Sequence, residues 1–309
     1  MRVVVTGGAG FIGANLCRTL LERGHDVVVL DDLSSGATDN LREVDVRFVE
    51  GTILDDDALD DVLPGAQSVV HLAARPSVPR SIADPVASHA ANATGTVAVL
   101  EGVRRHGLSH VVVASSSSVY GANPELPKHE GLTTLPVSPY AASKLATEAY
   151  ALAWAASYGI GALAFRFFNV FGPLQAAGHA YAAVVPAFVE AALAGNPLPI
   201  HGDGHQSRDF TFVGSVASVL ADAVEGGVAH DGPVNLAFGS RVTLLELVAE
   251  LEHVLGRPLE REHLEPRAGD VRHSQADQQR FRSLFPDAEP VALRDGLAAT
   301  VRWFQTGEL

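Results

Sequence analysis

A valine run, Val3-Val-Val, passes through Thr6 into Gly7, Gly8, Gly10 and Gly13, and from Phe11 onward the apolar residues take helical spacing. Consecutive β-branched residues suit a strand buried on both faces. The glycines suit a turn at which the backbone approaches a ligand or another chain segment closely. Strand, glycine turn and helix together open a parallel sheet, because a parallel neighbour is reached only through a long crossover. The alternation continues: 27–30, 46–49, 68–71, 111–114 and 162–166 read as further strands, and 11–23, 56–63, 85–106 and 139–158 read as helices. The expected fold is α/β, a doubly wound parallel sheet.

Beyond Gly172 the rhythm changes to helices near 184–194, 214–224 and 244–255 and short strands near 198–201 and 209–212. Residues 1–171 are therefore expected to form a dinucleotide-binding (Rossmann) domain, with a later return of the chain near 233–256. Residues 172–309 supply mainly a smaller, discontinuous C-terminal substrate-binding lobe.

Hydrophobic residues make up 47 % of the chain, enough for a substantial core, and the formal net charge is −14. That charge opposes nucleic acid and anionic membrane as partners, since long-range repulsion precedes any local contact. The single cysteine, Cys17, lies in an apolar helical stretch and reads as a core residue. No apolar run approaches the ~18 residues that a membrane span needs, and the sequence opens on a strand without a cationic leader. A cytoplasmic protein is expected. The thirteen histidines lack metal-ligand spacing, so no metal is expected.

The glycines fit a pyrophosphate at a helix N-terminus. Asp31, 18 residues past Gly13 at the end of the second strand, sits where a carboxylate accepts hydrogen bonds from the adenosine ribose. Together with Asp32 it would repel a 2′-phosphate, which favours NAD over NADP. Downstream, Tyr140 and Lys144 lie one helical turn apart. A phenol titrates near ~10, and an ammonium within ~4–6 Å stabilises the phenolate. The pair reads as a base beside a dinucleotide.

Seven ordered blocks then resemble the extended short-chain dehydrogenase/reductase superfamily, and within it the nucleotide-sugar 4-epimerases. They are TGGAGFIG at 6–13, HLAARPSVPRS at 71–81, SSSSVYG at 115–121, SPYAASK at 138–144, FRFFNVFGP at 165–173, GDGHQSRDF at 202–210 and RAGDVRHSQAD at 267–277. The resemblance implies that Gly7, Gly10, Phe11, Ile12, Gly13, Asp31, Asp32, Ser34 and Ser35 surround the pyrophosphate and adenosine. Thr52 and Ile53 would flank the adenine, Thr52 departing from an acidic residue usual there. Leu72, Ala73, Ala74 and Asn92 would line the middle of the cofactor, with Tyr140, Lys144 and Phe167 at the nicotinamide end. Asn169, Arg208 and Arg267 would hold the substrate's nucleotide diphosphate, with Val184 and His201 also facing the substrate.

The reaction so implied is transient oxidation at C4 of a nucleotide-bound hexose, with Tyr140 as base, Lys144 holding it, and Ser116 relaying the proton; Ser117 is the alternative register. An Asp-Glu pair, expected of a 4,6-dehydratase, is replaced by Ser117 and Ser118. Pro79 stands where a uronate enzyme would place an arginine, although Arg80 adjoins it. A dehydratase, reductase or uronate epimerase is the alternative reading. Ser274 matches a position that gates the sugar's C2 substituent, and its small size implies that N-acetylated hexoses are accepted beside plain ones. In relatives the helices matching 85–106 and 139–158 pair across a two-fold, so a homodimer is expected; Ala146, Ala149, Ala153 and Trp154 supply small and apolar surface.

Overall fold

A seven-stranded parallel sheet, its strands joined by crossovers that are mostly helical, sets the frame for everything else in the molecule. The structure is a computed structural model that describes residues 1–177, 183–265 and 272–309. In chain order the first half consists of β1 (Arg2–Thr6), α1 (Phe11–Glu22), β2 (Asp26–Asp31), β3 (Arg47–Glu50), α2 (Asp56–Val62), β4 (Ser68–His71), α3 (Val78–Ala83), α4 (Pro85–His89), α5 (Gly95–Arg105), β5 (His110–Ser116), α6 (Pro139–Tyr158) and β6 (Gly161–Phe167). The second half has shorter strands: β7 (Val170–Phe171), α7 (Val184–Ala194), β8 (Leu198–His201), β9 (Ser207–Arg208), β10 (Thr211–Phe212), α8 (Val213–Glu225), β11 (Val234–Leu236), β12 (Val242–Thr243), α9 (Leu244–Leu255), β13 (Arg261–Leu264), α10 (Gln279–Leu284) and α11 (Leu293–Thr306).

The main sheet has the order β11-β6-β5-β4-β1-β2-β3, with every neighbouring pair parallel. The chain winds outward from β1 to β3, returns to β4 and winds the other way, so the direction reverses between β1 and β4. A crevice opens at the C-terminal ends of the strands at such a reversal. Alternate residues of the strands enter two cores. Val3, Val5, Val70 and Val112 pack with Leu16, Leu20, Val216 and Leu220 of α1 and α8. Val4, Val69, Val111 and Val113 pack with Leu59, Leu100, Val103 and Ala151 of α2, α5 and α6. Cys17 is fully buried in the first core, and burial pushes its thiol up to about 12, which keeps it a neutral apolar filler.

α8 and β11 come from the second half of the chain yet join the first core and the main sheet. α10 adds Phe281 to the first core as well, and the other second-half helices α7, α9 and α11 build a separate core from Phe188, Val189, Leu247, Leu251, Leu297 and Val301. The helix expected over 85–106 runs without a gap from Pro85 to Arg105, and only its middle differs, Ala90–Thr94 forming a wider π turn between α4 and α5. The main-chain oxygen of Asn92 accepts the hydroxyls of Thr96 at 2.5 Å and Thr147 at 3.1 Å. Side-chain donors at a carbonyl displace the regular helical bond and widen the turn.

One buried ion pair ties α6 to the sheet. Glu148 accepts from Arg166 Nε at 3.0 Å and Nη2 at 2.6 Å, and the two side chains are only 5 % and 4 % exposed. Ser115 at the end of β5 donates to Glu148 Oε2 at 2.8 Å, and Arg166 lies 4.7 Å from the centre of the Tyr120 ring. Removing one partner strands the other charge in the interior. Glu148→Ala should lower unfolding free energy by about 3–5 kcal/mol, whereas Glu148→Leu combined with Arg166→Met should recover most of it. Urea denaturation checks this; a loss under ~1 kcal/mol for the single variant is the size of an exposed pair and contradicts the role given to this one.

Candidate active site

Gly7 follows β1 directly and takes a left-handed φ of 74°, donating its N–H to Leu30 O at 2.8 Å. A Cβ on Gly7 would lie 2.6 Å from Ala73 N, and one on Gly13 would lie 2.2 Å from Gly7 O. Side chains are thus excluded where β1, the turn and α1 meet. Gly10 is the N-cap of α1 and supplies no side-chain bond to it. The first N–H groups of a twelve-residue helix are left for a ligand, with the positive end of its dipole behind them.

Asp31 closes β2 and is nearly buried. Its Oδ2 accepts Ala9 N and its Oδ1 accepts Leu33 N, both at 2.9 Å, and burial pushes the carboxyl above its usual range despite these bonds. A carboxylate offers about four acceptor positions, and with the Gly10 N–H also bonded to it, Asp31 keeps about one for a donor in the cavity. Asp32 Oδ1 accepts Ser34 N at 2.9 Å.

These groups line a cavity of ≈ 970 Å³. Gly7, Gly10, Phe11, Ile12, Gly13, Asp31, Asp32, Ser34 and Ser35 stand in its wall, as do Thr52, Ile53, Leu72, Ala73 and Ala74. Ser116, Tyr140, Lys144 and Phe167 line it too. The glycine cradle, the uncapped helix and the carboxylates suit a dinucleotide in chemistry as well as in space. A second cavity of ≈ 220 Å³ is bordered by Asn169, Val184, His201 and Arg208 and shares Val170 and Gln175 with the first. Asn169 holds a φ of 24°, and its Nδ2 meets Asp209 O at 3.5 Å. Arg208 Nη1 donates to Ser207 O at 2.9 Å.

α6 starts at Ser138, whose hydroxyl accepts Ala141 N at 3.1 Å, with Pro139 in its first turn. Ser81 Oγ accepts Tyr140 N at 3.0 Å, which fixes the start of this helix against α3. The Tyr140 hydroxyl is hydrogen-bonded to Ser116, and that bond favours the phenolate, but burial outweighs it and raises the phenol above its ordinary value. Lys144 is 5 % exposed and donates from Nζ to Ala114 O at 2.8 Å. Burial lowers its amine to about 8. The expectation that Lys144 brings the phenol down is therefore not met by this arrangement: the ammonium is directed at a carbonyl of β5, and the groups acting on Tyr140 are the apolar surroundings and Ser116.

Other expected residues fall elsewhere. Asn92, expected along the cofactor, lines neither cavity: it is 1 % exposed, its Oδ1 accepts Arg75 N at 2.7 Å and its Nδ2 donates to Ser143 Oγ at 2.9 Å. Ser117 begins a 3₁₀ turn outside both cavities, which leaves Ser116 as the serine at the phenol. Ser274 also lines neither; its N–H donates to Ser207 O at 3.0 Å, beside Arg208. Arg267 lies outside the described residues. Arg80, noted beside Pro79, lines the larger cavity; the sequence reading missed Arg75 and Gln175 there and the apolar wall of Phe171, Phe188 and Phe210 in the smaller. Gln175 lies two residues past the FRFFNVFGP block, which was the only pointer to it.

The family model described as "NAD dependent epimerase/dehydratase family" matches residues 3–237. A UDP-glucose 4-epimerase of Mycolicibacterium smegmatis is 40 % identical over 99 % of both chains, and a dTDP-glucose 4,6-dehydratase of Streptomyces niveus is 35 % identical over 99 % of this chain and 93 % of its own. Among solved structures, a UDP-N-acetylglucosamine 4-epimerase from Methanobrevibacter ruminantium M1, in complex with UDP-N-acetylmuramic acid, superposes with a TM-score of 0.94 at 36 % identity, covering 99 % of both chains.

The glycine cradle makes a measurable claim. Gly13→Ala places a methyl group against Gly7 O, and NAD affinity should fall by at least ~100-fold, the order expected when a packed loop is forced open by about 3 kcal/mol. Calorimetric titration with NAD reads this; parent-like affinity means that the loop does not cradle the dinucleotide.

Proposed function

The chain belongs to the NAD dependent epimerase/dehydratase family, and we propose that it interconverts the C4 epimers of a nucleotide-activated hexose through a transient 4-keto sugar, with UDP-glucose and UDP-galactose, and their N-acetylated forms, as substrates. One observation carries the choice of epimerisation over dehydration. Dehydration needs a second acid–base pair at the sugar, yet Ser117 and Ser118 stand where a carboxylic pair would be, and the only carboxylates among the described residues of the larger cavity are Asp31 and Asp32 beside the glycine loop.

NAD, when bound along Gly7–Gly13 and Asp31, supplies a reversible hydride acceptor. Tyr140 takes the proton of the C4 hydroxyl as that carbon is oxidised and returns it when the ketone is reduced. Ser116 hydrogen-bonds to the Tyr140 hydroxyl, and its own hydroxyl shares the C4 oxygen, so the proton travels a short fixed path. Epimerisation also requires the ketose to turn over between the two half-reactions. Arg208 offers a rigid fork for the diphosphate, and the apolar wall around Phe188 and Phe210 suits a flat base. The nucleotide is gripped while the sugar, in the larger cavity, is not.

Burial raises the Tyr140 phenol above its ordinary value and lowers the Lys144 amine to about 8. The phenolate is the base, and below the phenol's own raised value its fraction grows about tenfold per pH unit. kcat should therefore rise about tenfold per pH unit through neutral and mildly alkaline pH, without levelling off where the Lys144 amine titrates. The proton NMR spectrum of UDP-glucose and of UDP-N-acetylglucosamine, each incubated with the purified chain and no added cofactor, should show the axial–equatorial change in H4 coupling. Tyr140→Phe should slow that change by ~10²–10⁴-fold. Parent-like rates in Tyr140→Phe, or a dehydrated product, would sink this reading.

The same reading includes a homodimer. Ile82 and Val86 on α3 and α4 are 65 % and 78 % exposed, and Ala149, Tyr150 and Ala153 of α6 are exposed alongside helices that α6 contacts. Small residues allow α6 to approach its symmetry copy closely, in an isologous contact. Sedimentation should give a dimer for the parent chain and a monomer for Ala149→Arg; equal mass for both places the contact elsewhere.

A further inference from the structure

His71 ends β4 and is 3 % exposed, and the mechanism above does not use it. Its ring nonetheless joins the two halves of the site. Nδ1 lies 2.7 Å from Thr6 Oγ1, and Thr6 is the residue immediately before Gly7. Nε2 lies 3.1 Å from Thr96 Oγ1, which in turn lies 3.1 Å from Thr147 Oγ1 on α6. Thr147 is one turn past Ser143, whose main-chain oxygen its hydroxyl reaches at 3.2 Å, and it follows Lys144 by three positions.

The protons in this chain can be assigned. A threonine hydroxyl has one hydrogen to give, and Thr96 gives its own to Asn92 O at 2.5 Å. Toward His71, Thr96 can only accept, so Nε2 carries the hydrogen. In the neutral ring Nδ1 is then an acceptor, and Thr6 donates to it while Thr6 Oγ1 faces Ala73 N–H at 3.4 Å. A second proton on the ring would oblige the Thr6 hydroxyl to turn its hydrogen away and accept from Nδ1 instead. Burial, and then the nearby Lys144 charge, hold the imidazole down to about 3, so the neutral tautomer persists.

We propose that His71 is a positioning residue whose neutral ring sets the glycine loop at Gly7 in register with the catalytic helix α6, so that a dinucleotide held by the one is presented at the correct height to Tyr140 on the other. The Thr6 bond serves the loop; the Thr96 bond serves the helix. Only the turnover measurement below rests on the reaction proposed above.

Two conservative variants separate the two bonds. In His71→Asn the amide lies near the Nδ1 position and keeps Thr6 while giving up Thr96; in His71→Gln it reaches the Nε2 position and keeps Thr96 while giving up Thr6. NAD affinity by calorimetry, kcat and KM on the nucleotide sugar that the parent converts, and melting temperature are measured on the full chain. His71→Gln should weaken NAD about tenfold, with kcat at saturating NAD within about twofold. His71→Asn should keep NAD affinity within about twofold and lower kcat about tenfold at unchanged KM. Should either fail to fold, Thr6→Val and Thr96→Val cut the same bonds from the other side, with the same division expected. The proposal is overturned if both variants keep parent values, if the division is reversed, or if affinity and kcat fall together in both in step with melting temperature. If the parent converts no nucleotide sugar, the proposed reaction fails while the NAD measurement still decides the role of the Thr6 bond.

Discussion

The helix that carries Tyr140 and Lys144 is fixed to the sheet at Ser115, and the geometry of the site is inherited from that junction. The Ser115 hydroxyl meets Lys144 O at 3.2 Å and Glu148 Oε2 at 2.8 Å, so two successive turns of α6 converge on one side chain of β5. Glu148 is locked in turn by the two-pronged grip of Arg166 from β6. Arg166 lies against Tyr120, and Tyr120 donates to Asn235 Oδ1 on β11 at 2.7 Å. A shift of α6 along the sheet would have to break charged bonds in a medium that cannot solvate them. Ser116, one residue beyond Ser115, therefore meets the phenol at a distance set by the core rather than by the loop that follows.

The parts of this site that could be read in the sequence are those whose chemistry is local. The glycines around residues 7–13 announce a cradle because only they fit it, and their cavity walls confirm the close approaches that a Cβ would prevent. Tyr140 and Lys144 are spaced by one helical turn whatever else surrounds them. The fate of a donor depends on the whole fold. Nothing near Lys144 in sequence says that its ammonium points at Ala114 O, or that Asn92 spends its amide on the backbone of Arg75. The π turn at Ala90–Thr94 depends on Thr147, which is more than fifty residues away in sequence. The smaller cavity was hidden for another reason. Phe171, Phe188, Phe210 and Leu244 have the pattern of ordinary core residues, and all four lie in one core cluster as well as in the cavity wall.

The overall charge of the chain says little about what its clefts attract. A net −14 is spread over the surface, while Arg208, Arg241 and Arg272 gather round His273, which burial and then these cations hold below its usual value. The cluster borders the smaller cavity through Arg208. A local field of this kind draws in an anion of limited size and still leaves an extended polyanion repelled by everything around it.

Asp31 serves two ends at once. Besides facing the cavity, its carboxylate accepts Ala9 N and so holds the glycine turn in shape. Exchanging it for a neutral or basic residue in order to welcome a phosphorylated ribose would also release the strap beneath the pyrophosphate. Coenzyme preference is thereby welded to the architecture of the turn, and a lineage wishing to change it must first find a different way to hold Ala9.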